Sequence, residues 1–296
     1  ITLQEKLQQR KCIPYNRKSK KMSNEKSDLF SLKGKVIIVT GGTGVLGSSF
    51  VNAIVKQGGS VALIGIDKEL GEQKAAEINS NGGSAISIYA NVLEESQLIE
   101  AREKIIATYG RIDGLVNTAG GNVPEGVLPP TKDVFDLNIE GMKKAMVLNL
   151  WGTIIPVQVF GPELAKSGNG SIINISSVSS KRALTRVLGY SMGKAAIDCY
   201  TKWFAVEMAN RYGDTIRMNS IMPGFFLTDQ NRTLLTQPDG SLTERGHSII
   251  SHTPFKRFGH PEELVGALIW LLSDASKFVT GMDIGVDGGF TVNSGV

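Results

Sequence analysis

The chain has 296 residues, a formal net charge of +4 and a hydrophobic fraction of 41%, enough apolar material for one large folded domain. This composition excludes a mostly disordered protein, and only two cysteines exclude both a disulfide framework and a cysteine-based zinc site. With three histidines and no run near the ~18 apolar residues of a membrane span, we expect neither a metal site nor a membrane partner.

The positive charge is concentrated at the amino end, where residues 1–22 hold seven Lys and Arg against one Glu. A basic tail of this kind can bind nucleic acid. We predict instead that residues 1–32 form a disordered extension, of which 1–21 come from upstream translation or cloning, with Met22 as the natural start. Because the positive charge belongs to this extension, we expect no nucleic-acid partner. The tail lacks the apolar segment of a secretory signal, so we expect a cytoplasmic protein.

From residue 33 onward, short β-branched runs alternate with longer helical patterns. The predicted strands are 36–39, 61–64, 85–89, 114–116, 171–175, 216–221 and 283–286, and the predicted helices include 45–58, 94–109 and 190–212. Almost continuously apolar strands indicate a sheet that is covered on both faces. The pattern therefore predicts an α/β fold in which residues 33–296 form a single-domain, Rossmann-type, doubly wound parallel sheet with helices on both faces.

The predicted helix over 190–212 has apolar residues on most of its circumference, including Tyr200, Trp203, Phe204 and Val206. A helix of this kind is buried, either in a core or against another subunit. We expect a subunit contact at this position.

The first predicted strand ends in a glycine-rich turn, Thr40-Gly41-Gly42-Thr43-Gly44-Val45-Leu46-Gly47, and a helix follows at once. Glycines let the backbone turn sharply and approach a ligand closely, and the new helix offers free N–H groups to a phosphate. In a doubly wound fold, the pyrophosphate of a dinucleotide binds at this turn.

The end of the second strand decides between NAD and NADP, because an acid there binds a ribose diol whereas Arg or Lys binds a 2′-phosphate. The segment after Ile64 contains Asp67 and Lys68 but no Arg. We favour NAD(H) over NADP(H), although Lys68 leaves NADP(H) open.

Tyr190 and Lys194 are four residues apart, so they share one face of the predicted helix. A free tyrosine has a pKa near ~10, and a nearby ammonium favours the phenolate, so we expect Lys194 to lower the pKa of Tyr190. Ser177 follows the predicted strand 171–175, where its hydroxyl could hold a substrate oxygen.

Over residues 33–290 the sequence resembles the short-chain dehydrogenase/reductase family. The resemblance rests on the glycine turn, Asn117-Thr118-Ala119-Gly120, Asn149, Ser177, the Tyr190/Lys194 pair, Pro223-Gly224 with Thr228, and Val286-Asp287-Gly288-Gly289. It implies that Tyr190 is the general acid/base, that Lys194 lowers its pKa and binds ribose, that Ser177 orients the carbonyl, and that Asn149 organises a proton-relay water. The cofactor-binding residues that it implies are Gly41, Thr43, Gly44, Val45, Leu46, Gly47, Asp67, Asn91, Val92, Asn117, Ala119, Gly120, Tyr190, Lys194, Pro223, Gly224 and Thr228. Family members are commonly tetramers, so the resemblance also implies a homotetramer.

The sequence differs from the family pattern at three positions. Val45 stands where the family most often has glycine, Thr118 replaces the second Asn of the adenosine motif, and Asn91 replaces an Asp near the adenine. These differences affect the details of cofactor binding and leave the reaction class unchanged.

Three segments border the expected substrate cleft. The cationic segment 181–187 contains Arg186, which we expect to bind a substrate carboxylate, because Arg forks bind carboxylates bidentately; Lys181 and Arg182 suit a solvated loop equally well. A long loop over 121–130 contributes Asn122. A mobile lid is expected at about 225–258, in which Gln230 and Asn231 could bind a polyhydroxylated ligand.

A cleft with Arg, Asn and Gln and few aromatic residues disfavours steroids and acyl chains and suits a sugar acid. Segments 184–187, 228–232 and 253–259 also resemble those D-mannonate oxidoreductases (fructuronate reductases) that belong to the same family, which implies hydride transfer between D-fructuronate and D-mannonate. Gluconate 5-dehydrogenase-like enzymes and reductases of 4-deoxy-5-hexoseulose uronate are alternatives in the same class. A non-catalytic dinucleotide sensor is the alternative from another class, and the presence of Asn149, Ser177, Tyr190 and Lys194 argues against it.

Overall fold

A computed structural model describes residues 28–228 and 232–295 of the chain. Seven parallel strands form one sheet in the order β3-β2-β1-β4-β5-β6-β7. Their bounds are β1 (Val36–Thr40), β2 (Ser60–Gly65), β3 (Ala85–Tyr89), β4 (Gly114–Asn117), β5 (Gly170–Ile175), β6 (Ile216–Pro223) and β7 (Asp283–Val286). The strand order reverses between β1 and β4, which is where doubly wound folds bind their ligands.

The helices cover both faces of this sheet. Their bounds are α1 (Val45–Lys56), α2 (Lys68–Ser80), α3 (Glu95–Tyr109), α4 (Ile139–Met146), α5 (Gly152–Lys166), α6 (Leu188–Tyr212), α7 (Arg232–Leu235), α8 (Glu244–His252) and α9 (Val265–Leu272). A π-helical segment, Val147–Trp151, joins α4 to α5, and short 3-10 turns lie at Pro124–Gly126, Val134–Asp136, Val178–Ser180, Pro261–Leu264 and Asp274–Ser276.

Alternate residues of each strand face opposite sides of the sheet, so two hydrophobic cores form. In β1, Ile37 packs in the core under α1 and α9, whereas Ile38 packs in the core under α3, α5 and α6. Phe50 and Phe160, one in each core, are fully buried. This two-sided burial is why the strands are apolar throughout.

The predicted α/β fold is confirmed, with every predicted strand present to within two residues of its bounds at either end. The predicted boundary at residue 33 is wrong, because the folded region begins earlier: the Leu32 side chain is fully buried, and its N–H donates to the Gln57 carbonyl. The rest of the predicted extension, residues 1–27, lies outside the described residues, as do Gln230 and Asn231.

Within a single chain, helix α6 is buried on one face only. Ile197, Ala205 and Met208 are buried in the core, but Trp203 and Val206 are 62% and 60% exposed. Core packing therefore covers only one face of α6, and the predicted subunit contact stays a prediction.

The helical stretch Ile139–Lys166, which comprises α4, the π segment and α5, is long and apolar enough by composition to cross a membrane. In this structure Val157, Phe160 and Leu164 pack in the core beneath the sheet, and the stretch also holds the buried amide of Asn149. These contacts are typical of the core helix of a doubly wound fold.

The described part of the predicted lid, residues 225–228 and 232–258, contains α7 and α8. Leu235, Ile249 and Phe258 form a small hydrophobic cluster of their own. This cluster holds α7 and α8 against each other and so fixes the lid residues that reach the cleft described next.

Candidate active site

A cleft of about 490 Å³ opens at the carboxyl edge of the sheet. Tyr190, Ser177 and Lys194 line it, together with Gly120 in the loop after β4 and Gly224 directly after β6. The three predicted catalytic side chains of Ser177, Tyr190 and Lys194 therefore converge on one cavity, because parallel strands bring their carboxyl ends to the same edge.

The glycine turn between β1 and α1 is packed too closely against backbone for side chains at two of its glycines. Gly41 has φ of +63°, and a Cβ there would lie 3.0 Å from the Ala119 backbone. A Cβ on Gly47 would collide with the Gly41 carbonyl oxygen. No side chain caps α1 and its first turn holds no acid, so its N–H groups and positive dipole end remain available to an anion such as a phosphate.

The loop after β4 is fastened to this turn by Thr40. The Thr40 hydroxyl accepts hydrogen bonds from the N–H groups of Thr118 and Ala119 at 3.2 and 3.3 Å. Asn117 is buried in β4, and its amide donates to Asn174 Oδ1 at 2.9 Å. The predicted adenosine-side residues thus also hold β1, β4 and β5 together.

Asn149 lies in the π-helical segment and is fully buried. Its Nδ2 donates to the carbonyls of Gly121 and Ala145, both at 2.8 Å, and its Oδ1 accepts from Gly121 N–H at 3.1 Å. A Cβ on Gly120 would lie 2.7 Å from Asn149 Oδ1. The side chain therefore clamps the loop after β4, and its role in a proton relay stays a prediction.

Ser177 follows β5 and begins the 3-10 turn Val178–Ser180, in which its hydroxyl accepts from Ser179 N–H at 3.2 Å. The same hydroxyl is hydrogen-bonded to the phenol of Tyr190. A carbonyl oxygen placed between these two hydroxyls could receive hydrogen bonds from both.

Lys194 is one helical turn after Tyr190 and is 5% exposed. Its Nζ lies 5.5 Å from the centre of the Tyr190 ring and donates to the Ile175 carbonyl at 2.7 Å. Burial lowers the pKa of Lys194 to about 8, although the nearby charge of Asp198 acts in the opposite direction.

The prediction that the Tyr190 pKa is lowered by Lys194 is wrong. Burial raises the pKa of Tyr190 above its ordinary value, and the hydrogen bond with Ser177 only partly opposes this rise. The Lys194 ammonium donates its hydrogen bond to the Ile175 carbonyl, and burial has the larger influence on the Tyr190 pKa. Tyr190 is therefore a protonated phenol at neutral pH, the form that can donate a proton.

The other predicted cofactor residues take distinct local roles. Asp67 begins α2, where its Oδ1 accepts from Leu70 N–H at 3.0 Å. Asn91 Oδ1 accepts from Leu93 N–H at 3.1 Å, and Val92 is buried. Among these predicted residues, Leu46, Pro223, Gly224 and Thr228 line the cleft. The predicted set therefore runs from the end of β2 across the turn to the cleft.

Comparisons with known proteins agree with this geometry. A family model described as enoyl-(acyl carrier protein) reductase matches residues 44–291. An uncharacterized oxidoreductase of Bacillus subtilis (strain 168), UxuB, is 41% identical over 275 residues, which cover 90% of this chain and 98% of the relative. The chain belongs to the short-chain dehydrogenase/reductase family.

Two solved structures of this family are similar over almost the whole fold. A provisionally assigned D-mannonate oxidoreductase from Haemophilus influenzae with bound NAD is 39% identical, with a TM-score of 0.83 and coverage of 90% of this chain and 98% of that one. A gluconate 5-dehydrogenase from Burkholderia cenocepacia J2315 in complex with NADP and tartrate is 30% identical, with a TM-score of 0.79 and the same coverage. The predicted class, an NAD(P)-dependent dehydrogenase/reductase, is confirmed.

A buried ion cluster behind the active site of this short-chain dehydrogenase/reductase escaped the sequence analysis. Asp198 is buried, and its Oδ1 accepts from the Ser176 hydroxyl at 2.5 Å while its Oδ2 pairs with Lys181 at 2.8 Å. Lys181 also pairs with Asp283 at 2.9 Å. Asp198 is four residues after Lys194, so the helical spacing could have revealed it.

The structure separates the three cations of segment 181–187. Lys181 belongs to the ion cluster, and Arg182 donates to the carbonyls of Thr291 and Asn293, so both hold the fold together. Both residues are exposed, as the solvated-loop interpretation predicts, and neither lines the cleft. Arg186 alone of these three lines the cleft, as expected for a residue that contacts substrate.

The loop over 121–130 and the lid supply the remaining lining of the cleft. Asn122 lines it as predicted, and Arg245 of α8 lines it as well, which sequence analysis did not foresee. Phe225 and Phe226 line it too, so the expectation of few aromatic residues is only partly met. Phe226 is 5% exposed and packs in the core, which leaves little of its ring for a ligand.

Proposed function

We propose that this short-chain dehydrogenase/reductase reduces the ketone of a sugar acid, with D-fructuronate and D-mannonate as its substrate pair. The observation that carries the proposal is the charge of the cleft. Its described lining contains the cations Arg186, Lys194 and Arg245 but no Asp or Glu. An anionic substrate is attracted by such a site, whereas a neutral one gains nothing from it.

The chemistry of the side chains supports reduction of a carbonyl. Tyr190 carries the proton that the new hydroxyl requires, and the Ser177 hydroxyl holds the carbonyl oxygen beside it. NADH, when bound, would supply the hydride for the carbonyl carbon. Lys194 then stabilises the phenolate through its positive charge, and Asn149 fixes the Gly120–Gly121 loop at the edge of the site.

We favour NAD(H) as the cofactor. The glycine turn, the uncapped start of α1 and the tight approach of Gly41 to Ala119 fit a pyrophosphate. At the end of β2, Asp67 is exposed with one carboxylate oxygen taken by Leu70, and the other suits a ribose diol. The relative from Haemophilus influenzae holds NAD, and the one from Burkholderia cenocepacia holds NADP.

Gluconate 5-dehydrogenase-like activity is the alternative that a relative supports, since one such relative is 30% identical and is in complex with tartrate, a dicarboxylate. D-Fructuronate and 5-ketogluconate each carry a ketone and a carboxylate, so the same cationic cleft serves either. For the assembly we propose a homotetramer, because Trp203 and Val206 leave an apolar face of α6 exposed for contact with another subunit.

Arg186→Ala tests the acidic part of the proposal. We expect KM for D-fructuronate to rise about 10- to 100-fold, because a charge-assisted hydrogen bond to the carboxylate is lost. KM for a neutral ketose should stay unchanged. The measurement is steady-state NADH oxidation by the wild-type and variant enzymes on both substrates.

Arg211→Ala provides the matched control, since Arg211 is exposed on α6 and pairs with Glu207. It should leave both KM values as they are. Equal losses on the acid and the neutral ketose in Arg186→Ala would make Arg186 a structural residue and contradict its assignment.

Asp198→Asn tests the charge of Lys194 through the pH dependence of the reaction. Asp198 raises the pKa of Lys194, so its removal should bring that pKa below about 8. The ammonium is then lost at a lower pH, and the alkaline limb of the kcat/KM profile should move to lower pH. Profiles from about pH 6 to 10 for the wild type and the variant measure the shift.

Glu207→Gln is the control for this profile, because Glu207 is an acid on the same helix that pairs with Arg211 at the helix end. Its alkaline limb should coincide with that of the wild type. A limb that stays in place in Asp198→Asn, with kcat lowered uniformly at every pH, would indicate a purely structural role for Asp198.

A further inference from the structure

Two arginines from different elements meet in the substrate end of the cleft. Arg186 comes from the segment before α6, four residues ahead of Tyr190, and Arg245 comes from the first turn of α8. Arg245 Nη1 lies 3.5 Å from the Thr185 hydroxyl, and Thr185 is the residue before Arg186. Helix α8 is therefore joined to the Arg186 segment across the mouth of the cleft.

Neither guanidinium has an anionic partner among the residues that the structure describes. Arg257, which also belongs to the lid, differs from these two arginines because it forms an ion pair with Glu263 at 2.6 Å. Burial lowers the pKa of Arg245, and the positive charge of Arg186 lowers it further. Two like charges thus share a partly desolvated space, which is unfavourable for the protein alone.

The backbone positions of both residues add to this cost. Arg186 has φ of +75°, in the left-handed region that a side chain with a Cβ rarely adopts, and the Leu128 N–H donates to its carbonyl at 2.9 Å. Such strain tends to occur at ligand sites. Arg245 stands in the first turn of α8, where the helix dipole favours anions over cations. One anion between the two guanidiniums would offset the repulsion.

We propose that Arg245 is a second specificity-determining residue, which together with Arg186 binds the carboxylate of the substrate as a two-arginine clamp. The inference rests on the proposed sugar-acid function and deepens it. One arginine belongs to the segment that leads into the Tyr190 helix and the other to the lid, so a bound carboxylate joins the two. A neutral sugar leaves the clamp empty and the like charges facing each other.

Direct binding tests the clamp without turnover. Isothermal titration of the wild-type enzyme, loaded with NADH, compares D-mannonate, D-gluconate and L-tartrate with the neutral polyol D-mannitol. Arg245→Ala should weaken binding of the carboxylates about 10- to 100-fold and leave D-mannitol unchanged. Arg245→Lys keeps the charge but loses the bidentate fork, so its loss should be intermediate.

His247→Ala is the matched control, since His247 is exposed on the same helix two residues further on. It should bind every compound as the wild type does. Arg245→Gln retains most of the side-chain stem and replaces the alanine variant if circular dichroism shows that Arg245→Ala is unfolded.

Two results would overturn the clamp: carboxylates that bind Arg245→Ala, or its glutamine substitute, as tightly as the wild type, or a wild type that binds no carboxylate better than D-mannitol. The proposed function fails differently. An enzyme that binds carboxylates through Arg245 but does not oxidise NADH with any keto acid keeps the clamp and loses the proposed reaction.

Discussion

Tyr190→Phe should lower kcat for ketone reduction by about 10²- to 10⁴-fold and leave the affinity for NADH unchanged. Only the phenol oxygen is removed; it is hydrogen-bonded to Ser177, and Tyr190 lines the cleft. Because burial raises the pKa of Tyr190, the wild-type phenol is protonated at neutral pH and is ready to donate. Steady-state kinetics give kcat, and quenching of protein fluorescence on titration gives the affinity for NADH.

The matched control for this substitution is Tyr212→Phe, which removes the same atom from an exposed residue at the far end of α6. It should turn over at the wild-type rate. Unimpaired turnover in Tyr190→Phe would remove Tyr190 from the mechanism, and a parallel loss of NADH affinity would show that the phenol serves binding.

Lys194→Met should lower kcat by at least about 10²-fold and, at neutral pH, make the protein more stable. The catalytic loss follows from removal of the cation that stabilises the phenolate. The gain in stability follows from burial, which lowers the pKa of Lys194 from 10.5 to about 8 and corresponds to a penalty of about 3 kcal/mol at pH 7. Loss of the hydrogen bond to the Ile175 carbonyl offsets about 1–2 kcal/mol of this gain in stability.

The pH dependence of this difference in stability shows whether the buried charge of Lys194 causes it. Between about pH 8 and 10.5 the unfolded lysine holds a proton that the folded one has lost, so the free energy of unfolding of the wild type rises with pH there. The advantage of Lys194→Met should be fullest below about pH 8 and should vanish as the pH approaches 10.5. Urea unfolding at several pH values measures it.

Lys104→Met is the control, because Lys104 is exposed on α3 and its ammonium has no ion pair within the described part of the protein. Its stability should follow the wild type at every pH. A Lys194→Met enzyme that is less stable than the wild type at neutral pH would show that the hydrogen bond to Ile175 outweighs the cost of burying the charge.

The order of strands and helices could be predicted from the sequence because each element is locally consistent. The strands are apolar on both faces, and the glycine turn sits between the first strand and the first helix. From that order, the carboxyl edge of the sheet follows, and with it the convergence of Ser177 with the Tyr190/Lys194 pair. Local pattern thus determined the framework of the site.

The electrostatics of the site depend on burial and on distant contacts, so local patterns could not predict them. The direction of the Tyr190 pKa was missed because the sequence shows a nearby lysine but not the desolvation of the ring. The sequence could not show whether Lys181 binds substrate or lies in a solvated loop, because its partners, Asp198 and Asp283, come from α6 and β7. Arg245 was missed because only the folded lid places it beside Arg186.

The apolar pattern of α6 also had two interpretations that sequence alone could not separate. A helix that is apolar all round can face a core or another subunit, and only the exposed fractions of Trp203 and Val206 show which face the fold leaves open. The π-helical segment that carries Asn149 was likewise missed, since its sequence is typical of an ordinary helix.

The most direct test of the proposed function is absorbance at 340 nm with purified protein, NADH or NADPH, and D-fructuronate, with 5-ketogluconate and a neutral ketose in parallel wells. We predict oxidation of NADH in the wells that hold a keto acid, fastest with D-fructuronate, and much slower oxidation with the neutral ketose. Oxidation that is equally fast with the neutral ketose, or absent from all three while NADH still binds, would contradict a sugar-acid reductase.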